Sequence, residues 1–296
     1  MSTPGTPPVL GIIGGSGLYD IPGLQGTEWR RVDSPFGEPS DDLLFGVLGE
    51  QPIVFLPRHG RGHRVPPSKI NFRANIDVLK RSGVTEIVSM SAVGSLRADL
   101  APGTFVIIDQ FIDRTWMRER SFFDTGLVAH VSMAHPVCSR LGDRLTAAAA
   151  DLKLRHRRGG TYIVMEGPQF SSKAESELYR GWGCDVVGMT NMPEAKLARE
   201  AEVCYATVAM VTDYDCWHEE HDHVTVEQVV KVLLANAEHA RALVARVAPA
   251  LSGRAEVCGA GCHRSLDHAI MTQPAVRDPA MVARLDAVAG RVLRGA

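Results

Sequence analysis

Residues 9–17 read Val9-Leu10-Gly11-Ile12-Ile13-Gly14-Gly15-Ser16-Gly17, an apolar run that passes straight into a glycine turn. The run predicts a buried strand. The turn predicts close approach of backbone N–H groups and the Ser16 hydroxyl to an anion, because glycine has no Cβ and tolerates positive φ. No Gly-Lys-Ser/Thr closes it, so it is not a Walker A loop. Asp20 stands where a dinucleotide fingerprint needs its third glycine. Two readings remain, an oxyanion turn for some other ligand and an ordinary turn at a strand end.

Outward from this strand, β and α signals take turns. Strand-like runs fall at 43–48, 53–56, 86–91, 105–109, 162–165, 185–187 and 205–212. The first helix is expected over 68–82, with Ser68 as N-cap and Gly83 as stop. A second starts near Pro136 and runs through the alanines at 147–150. A third follows the capping box Ser172-x-x-Glu175 and ends at Gly181. A fourth opens with Pro193 and Glu194, and a long one follows the capping box Thr225-x-x-Gln228 to about Val247. This alternation argues for an α/β domain, a central sheet with helices on both faces. Residues 1–296 are expected to form one domain, with 253–296 a C-terminal loop and helix extension whose last helix starts at Pro279. In such folds ligands sit beyond the carboxyl ends of the strands.

Composition narrows the function classes. The chain has 296 residues, 45% hydrophobic and 22% charged, with a net charge of −2, so no basic field for nucleic acid is expected. No apolar run reaches the roughly 18 residues that span a bilayer. The stretch Met1 to Pro8 lacks a signal-peptide core, and a cytoplasmic location is expected. Of the six cysteines, Cys138, Cys184, Cys204 and Cys216 lie in apolar surroundings and read as small hydrophobes. Cys258-x-x-x-Cys262 reads as metal ligands, a disulfide or two thiols, the last being the default in a reducing compartment. His263 beside the pair makes three donors, with no evident fourth. His218-Glu-Glu-His221-Asp-His223 has the composition of a metal cluster without the His-Glu-x-x-His spacing, and reads as a solvated loop. No metal is expected.

The strand ends carry the polar chemistry. After 53–56 come three arginines and two histidines within Arg58 to Arg64, either an anion site or a solvated basic loop. Ser91-Ala92, Phe170-Ser171 and Met189-Thr190 follow three further strands, and Asp213-Tyr214-Asp215 follows another. Arginine and hydroxyls suit an anion, and two aspartates two apart on an extended end suit a group rich in N–H donors, such as an aminopurine. Phe170 offers a stacking face.

The segments GIIGGSGLYD, PRHGRGHRVPPSKINFRANI, GSLRADLAPGTFVIIDQFIDRT, EGPQFSSKAESE and TDYDCW resemble the 5′-methylthioadenosine phosphorylases of the trimeric purine nucleoside phosphorylase family. The likeness runs from about residue 8 to 250, and bacterial members also resemble the chain after 255. It implies the nucleoside phosphorylase fold, with a mixed, twisted sheet, and phosphorolysis of methylthioadenosine to adenine and 5-methylthioribose 1-phosphate. It implies that Ser16, Arg58, His59, Ser91, Ala92 and Thr190 hold phosphate. Met189 would contact the ribose, Phe170 and Ser171 the purine, and Asp213 and Asp215 its N7 and 6-amino group. Val226 and Val229 would line the 5′-methylthio site, with His130 supplied to a neighbour's site in a homotrimer. Asp213 would be the catalytic acid, no cofactor is implied, and inorganic phosphate is a co-substrate. Phosphorylases for inosine and guanosine generally carry Asn in place of Asp213, so a 6-aminopurine is favoured over methylthioinosine or inosine. A purine-binding sensor without catalysis would have no use for the phosphate residues.

Overall fold

The computed structural model describes residues 8–15, 17–218, 226–251 and 258–294, with only the backbone at 226–229 and 231. Eleven strands among them form one mixed sheet: β1 (Val9–Gly14), β2 (Leu24–Arg30), β3 (Leu43–Leu48), β4 (Gln51–Pro57), β5 (Val84–Ser95), β6 (Phe105–Ile107), β7 (Gln110–Arg114), β8 (His156–Arg158), β9 (Thr161–Met165), β10 (Val186–Gly188) and β11 (Cys204–Asp213). The main order is β2-β3-β4-β1-β5-β10-β9-β7, and a branch β11-β6-β8 leaves from β5. The helices are α1 (Phe72–Arg81), α2 (Ser139–Asp151), α3 (Lys173–Gly181), α4 (Asn191–Glu200), α5 (Val226–Leu251), α6 (Pro279–Arg284) and α7 (Gly290–Leu293).

Strand alternation sorts the core onto two faces. Ile13, Val54 and Leu56 join one apolar cluster with Ile76 and Leu79 of α1 and Leu197 of α4. Their neighbours Ile12, Ile53 and Phe55 join the opposite cluster with Leu141 and Leu145 of α2 and Leu243 and Val247 of α5. Period-2 side-chain direction in buried strands requires this division.

β5 is the hub. It pairs in parallel with β1 along its first half (Leu10 opposite Glu86, Ile13 opposite Ser89) and with β11 along nearly all its length (Cys204 opposite Glu86, Asp213 opposite Gly94). Beyond the end of β1, antiparallel β10 takes over that edge, with Val186 opposite Ser95 and Val187 opposite Gly94. The chain leaving β10 therefore runs back along β5 toward Ser91.

A buried polar network ties α4 to this hub. Arg58 Nε and Nη2 meet both oxygens of Glu194 at 2.9 and 3.1 Å, and both side chains are 2% exposed. Glu194 Oε1 also accepts from Ser89 Oγ (2.6 Å) and from the Tyr205 hydroxyl (2.8 Å). Asn191 Nδ2 lies 2.6 Å from the Tyr205 hydroxyl and 2.9 Å from Thr207 Oγ1. Glu194, expected near the start of the fourth helix, lies in its first turn and is the centre of this buried network.

Several boundaries differ from expectation. The first helix starts at Phe72, because Asn71 and not Ser68 accepts from the Ala74 N–H (3.1 Å); Ser68 lies in a 3₁₀ turn, Pro67–Lys69. The second starts at Ser139 with Cys138 as N-cap, three residues after Pro136. The fourth starts at Asn191, with a non-helical Met192 before Pro193. Strands β2, β7 and β8 were not expected: β2 is mostly exposed and polar, β7 is only partly buried with polar residues at both ends, and β8 has three residues. The box Ser172–Glu175 is present, whereas Thr225 lies outside the described residues. The helix expected from Pro279 is α6, capped by Asp278, and α7 follows it.

Two stability measurements check these assignments. Asn71→Ala should lower stability by about 1 kcal/mol, more than Ser68→Ala does, in denaturant titrations. Glu194→Ala should cost about 3–5 kcal/mol, because it strands a buried guanidinium, and an Arg58→Met/Glu194→Leu double variant should lose less than Glu194→Ala alone.

Candidate active site

A cavity of about 590 Å³ opens over the ends of β1, β4, β9, β10 and β11, within the usual size range of small-molecule sites, roughly 300–1,000 Å³. Its lining brings together Arg58, His59, Ser91, Ala92, Phe170, Ser171, Met189, Thr190, Asp213 and Asp215. Ser16 lies outside the described residues, although its neighbour Gly15 lines the wall. The side chains of Val226 and Val229 are likewise outside them, and α5 presents Leu233 and Ala237 to the cavity. His130 is exposed and does not line this cavity; its N–H donates to the Ala269 carbonyl (2.8 Å).

One end of the cavity is built from neutral donors. The return of the chain after β10 sets Thr190 across from Ser91, with their hydroxyls 3.1 Å apart. The Tyr162 hydroxyl stands 3.0 Å from Ser91 on the other side. It fits there because residue 188 is glycine: a Cβ at Gly188 would lie 2.2 Å from that oxygen. Thr190 immediately precedes α4, whose regular turns begin only after the non-helical Met192.

Arg58 contributes less charge here than its sequence position suggests. Nη1 donates to the Met90 carbonyl (2.8 Å) and Nη2 also to Ser89 Oγ (2.6 Å), in addition to the two bonds to Glu194. Four of the five guanidinium N–H groups thus have acceptors among the described residues, and one on Nη1 is left for a ligand. His59 behaves similarly. Burial, helped by the nearby Arg58 charge, pushes its pKa down to about 4, so the ring is neutral at pH 7. Nδ1 sits 2.9 Å from the Val65 carbonyl, which can only accept, so Nδ1 carries the proton and Nε2 is an acceptor. His59, implied by the resemblance to hold phosphate, thus offers an acceptor at Nε2.

The other end is acidic. Asp213 Oδ2 accepts from Thr212 Oγ1 (2.6 Å) and Oδ1 from the Asp215 N–H (2.8 Å), an Asx turn that holds Asp215 at φ +53°. The two aspartates share a turn rather than the extended end expected for them. Burial pushes the Asp213 carboxyl above its ordinary range, against these two hydrogen bonds. Asp215 moves the same way, by burial first and also by the charge of Asp213. The approach is close: a Cβ at Gly94 would lie 3.0 Å from Asp213 Oδ1. Phe170, 55% exposed, stands at the rim, and the Ser171 carbonyl accepts from the Cys216 thiol (3.3 Å).

Sequence reasoning missed a second buried ion pair that shapes the wall between these ends. Arg118 Nε meets Glu166 Oε1 at 3.0 Å, and its Nη1 donates to the carbonyls of Met189 (2.7 Å) and Met192 (2.6 Å). The Met189 carbonyl is therefore fixed in place and keeps one lone pair for a ligand. Nothing in the spacing of Arg118 marks this role; its 48-residue separation from Glu166 is bridged only by the fold. His218 stacks on Tyr214 (4.7 Å), and residues 219–223 of the His-rich run lie outside the described residues. Cys258 and Cys262 find partners in Cys138 and Cys204, not in His263.

Known proteins resemble this chain in sequence and fold. Residues 9–249 match the family model of the phosphorylase superfamily. The chain is 66% identical to S-methyl-5′-thioadenosine phosphorylase of Rhodospirillum rubrum over 97% of both chains. It is 60% identical to the protein of that name from Bradyrhizobium diazoefficiens, over 98% of this chain and 100% of that one. Among solved structures, a methylthioadenosine phosphorylase from an Antarctic soil metagenomic library superposes with a TM-score of 0.87 at 42% identity, covering 95% of this chain and 98% of that one. Methylthioadenosine phosphorylase of Schistosoma mansoni in complex with adenine gives 0.77 at 38% identity, over 82% and 92%. The family model covers most of the chain, and the chain belongs to the phosphorylase superfamily.

Proposed function

We propose that this chain catalyses phosphorolysis of 5′-methylthioadenosine, giving adenine and 5-methylthioribose 1-phosphate. The observation that carries this reading is the division of one cavity into a hydroxyl-lined end at Ser91 and Thr190 and a desolvated carboxyl at Asp213. Phosphate binds at the first end, with Ser91, Thr190, the Ala92 backbone, Ser16 and one Arg58 N–H as donors. His59 Nε2 accepts from a phosphate hydroxyl. The adenine lies against Phe170 and Ser171, with Asp215 taking its 6-amino group. Leu18, Met210, Leu233 and Ala237 give an apolar wall that suits a methylthio group.

The glycosidic bond breaks as the ribose carbon gains cationic character, by analogy with glycoside hydrolysis. Its bonding electrons go to the purine, and Asp213 supplies a proton to N7 as adenine leaves. Burial favours the protonated acid that this step needs. A phosphate oxygen then forms the new bond to the ribose carbon. The Met189 backbone holds the ribose, with its carbonyl anchored by Arg118. No metal or organic cofactor enters any step.

The chain works in the cytoplasm, a location that its free cysteines suit. Among the described residues no helix is long and apolar enough to cross a membrane. A homotrimer supplies His130 to a neighbour's site. Exposed Trp116 (72%) and Met117 (55%) support assembly as apolar surface that a partner would cover.

Purified protein should release adenine from methylthioadenosine only when phosphate is present; no release with both present would end the enzyme reading. Asp213→Asn should slow that reaction by about 10²–10⁴ while raising the relative kcat/KM on methylthioinosine. An unchanged ratio would remove Asp213 from base selection. Light scattering should give three chains per particle, and a fully active monomer would exclude the shared His130.

A further inference from the structure

Cys138, Cys204, Cys258 and Cys262 come from three distant parts of the chain and meet at one buried point. Cys138 is the N-cap of α2, Cys204 is the first residue of β11, and Cys258 and Cys262 belong to the segment after α5. Their exposures are 0, 5, 4 and 2%, and their four Sγ atoms all lie within 4.8 Å of one another. The sulfurs of Cys138 and Cys258 are 3.4 Å apart, and those of Cys258 and Cys262 3.6 Å. None of the four lines the cavity described above.

We propose that these four cysteines form a closed structural site for one zinc ion. Four thiolates at the usual zinc–sulfur distance of about 2.3 Å define a tetrahedron with edges of about 3.8 Å. The separations of 3.4 and 3.6 Å fall just inside that edge, and no pair of the four exceeds 4.8 Å. Two disulfides would sort the sulfurs into pairs, but Cys258 approaches both Cys138 and Cys262, and Cys138 also interacts with Cys204 and Cys262. A tight turn links Cys258 to Cys262: Gly261 N donates to the Cys258 carbonyl (2.8 Å), with Gly261 at φ +68°. Its Cys-x₃-Cys spacing is within the range of structural zinc sites.

The surroundings suit the charge. Zinc binding releases four thiol protons to solvent and leaves a net charge of −2 on the metal–thiolate unit, with no change of oxidation state. Arg199 Nη1 donates to Cys262 Sγ (3.5 Å), and Arg140 Nη2, shared with Glu86, lies 3.9 Å from Cys204 Sγ. At Cys138 the start of α2 favours a thiolate. With all four positions taken by protein the ion has no place for substrate, so its role is mechanical. It fastens the segment that begins at Cys258 to the sheet. That segment goes on to pair Ile270 with Ala129 and to accept from the His130 N–H, so the clamp also fixes the strip that carries His130.

The test uses the full chain, produced with zinc in the medium and purified under reductant without a metal-binding tag. Elemental analysis should give about one zinc per chain. Replacement by cobalt(II) should give thiolate-to-metal charge-transfer bands and the strong visible bands of a tetrahedral ion, a readout that needs no variant. Cys204→Ser/Cys262→Ser should lose nearly all the metal, whereas Cys184→Ser, outside the cluster, should keep it. Removing zinc from the wild-type protein should lower its melting temperature by about 5 °C or more. Metal-free protein with all four thiols free to react, or a mass showing two disulfides in the cluster, would overturn the assignment, as would a double variant that still holds one zinc per chain.

Discussion

The ion pair between Arg58 and Glu194 is the constraint on which the rest of the structure depends. Both groups lie deep between the sheet and α4, and neither can be there alone: an isolated charge at 2% exposure costs several kcal/mol. Each hydrogen bond around them follows from that requirement. Ser89, Tyr205 and Asn191 complete the shell of Glu194 or of its partners, and Met90 takes the remaining edge of the guanidinium. The network fixes the depth and the rotation of α4 against β5. It thereby decides where Thr190, at the head of that helix, meets the cavity.

The sheet topology does the remainder of the positioning. β5 extends past the end of β1, which frees one edge for β10 to pair antiparallel. Had β10 run parallel to β5, the chain after Gly188 would have left the sheet away from Ser91. Instead it turns back along β5, and the two hydroxyls stand within hydrogen-bonding distance although 99 residues separate them. Gly94 and Gly188 then allow two neighbouring strands to present Asp213 and Tyr162 without a Cβ in the way.

Much of this was legible in the sequence, for identifiable reasons. Buried strands such as β1, β4 and β11 are continuous apolar runs, and such runs are read without knowing their partners. The box Ser172–Glu175 is a local device, so it was found as well. Asn71 was overlooked because Ser68 offered the same chemistry three residues earlier, and only the Phe36 carbonyl, bonded by Asn71 Nδ2 at 2.8 Å, decides between them. The candidate ligand residues were legible as turn chemistry after strands. What was not legible is where each charge is spent. Arg58 reads as an anion donor until Glu194, 136 positions away, takes two of its N–H groups. The third and fourth sulfurs beside Cys258 and Cys262 come from Cys204 and Cys138, which lie 54 and 120 positions before Cys258. Such pairings exist only once the chain is folded.

Two of the basic groups that line the cavity bring little free charge to it. Arg58 is balanced by Glu194, His59 is neutral at pH 7, and burial holds back ionisation of Asp213 and Asp215. In the proposed reaction this balance has a direct consequence. The phosphate would be held by hydroxyls and N–H dipoles rather than by a bare Arg58 cation. Dipoles orient an anion without cancelling its field, so its attraction for the developing ribosyl cation would stay nearly whole in a site of low dielectric. A free guanidinium at the same place would bind phosphate more tightly in the ground state and weaken that attraction as the bond breaks. The interior pairing of Arg58 thus serves the chemistry as well as the fold, because it leaves one directional N–H while removing most of a charge that would oppose the transition state.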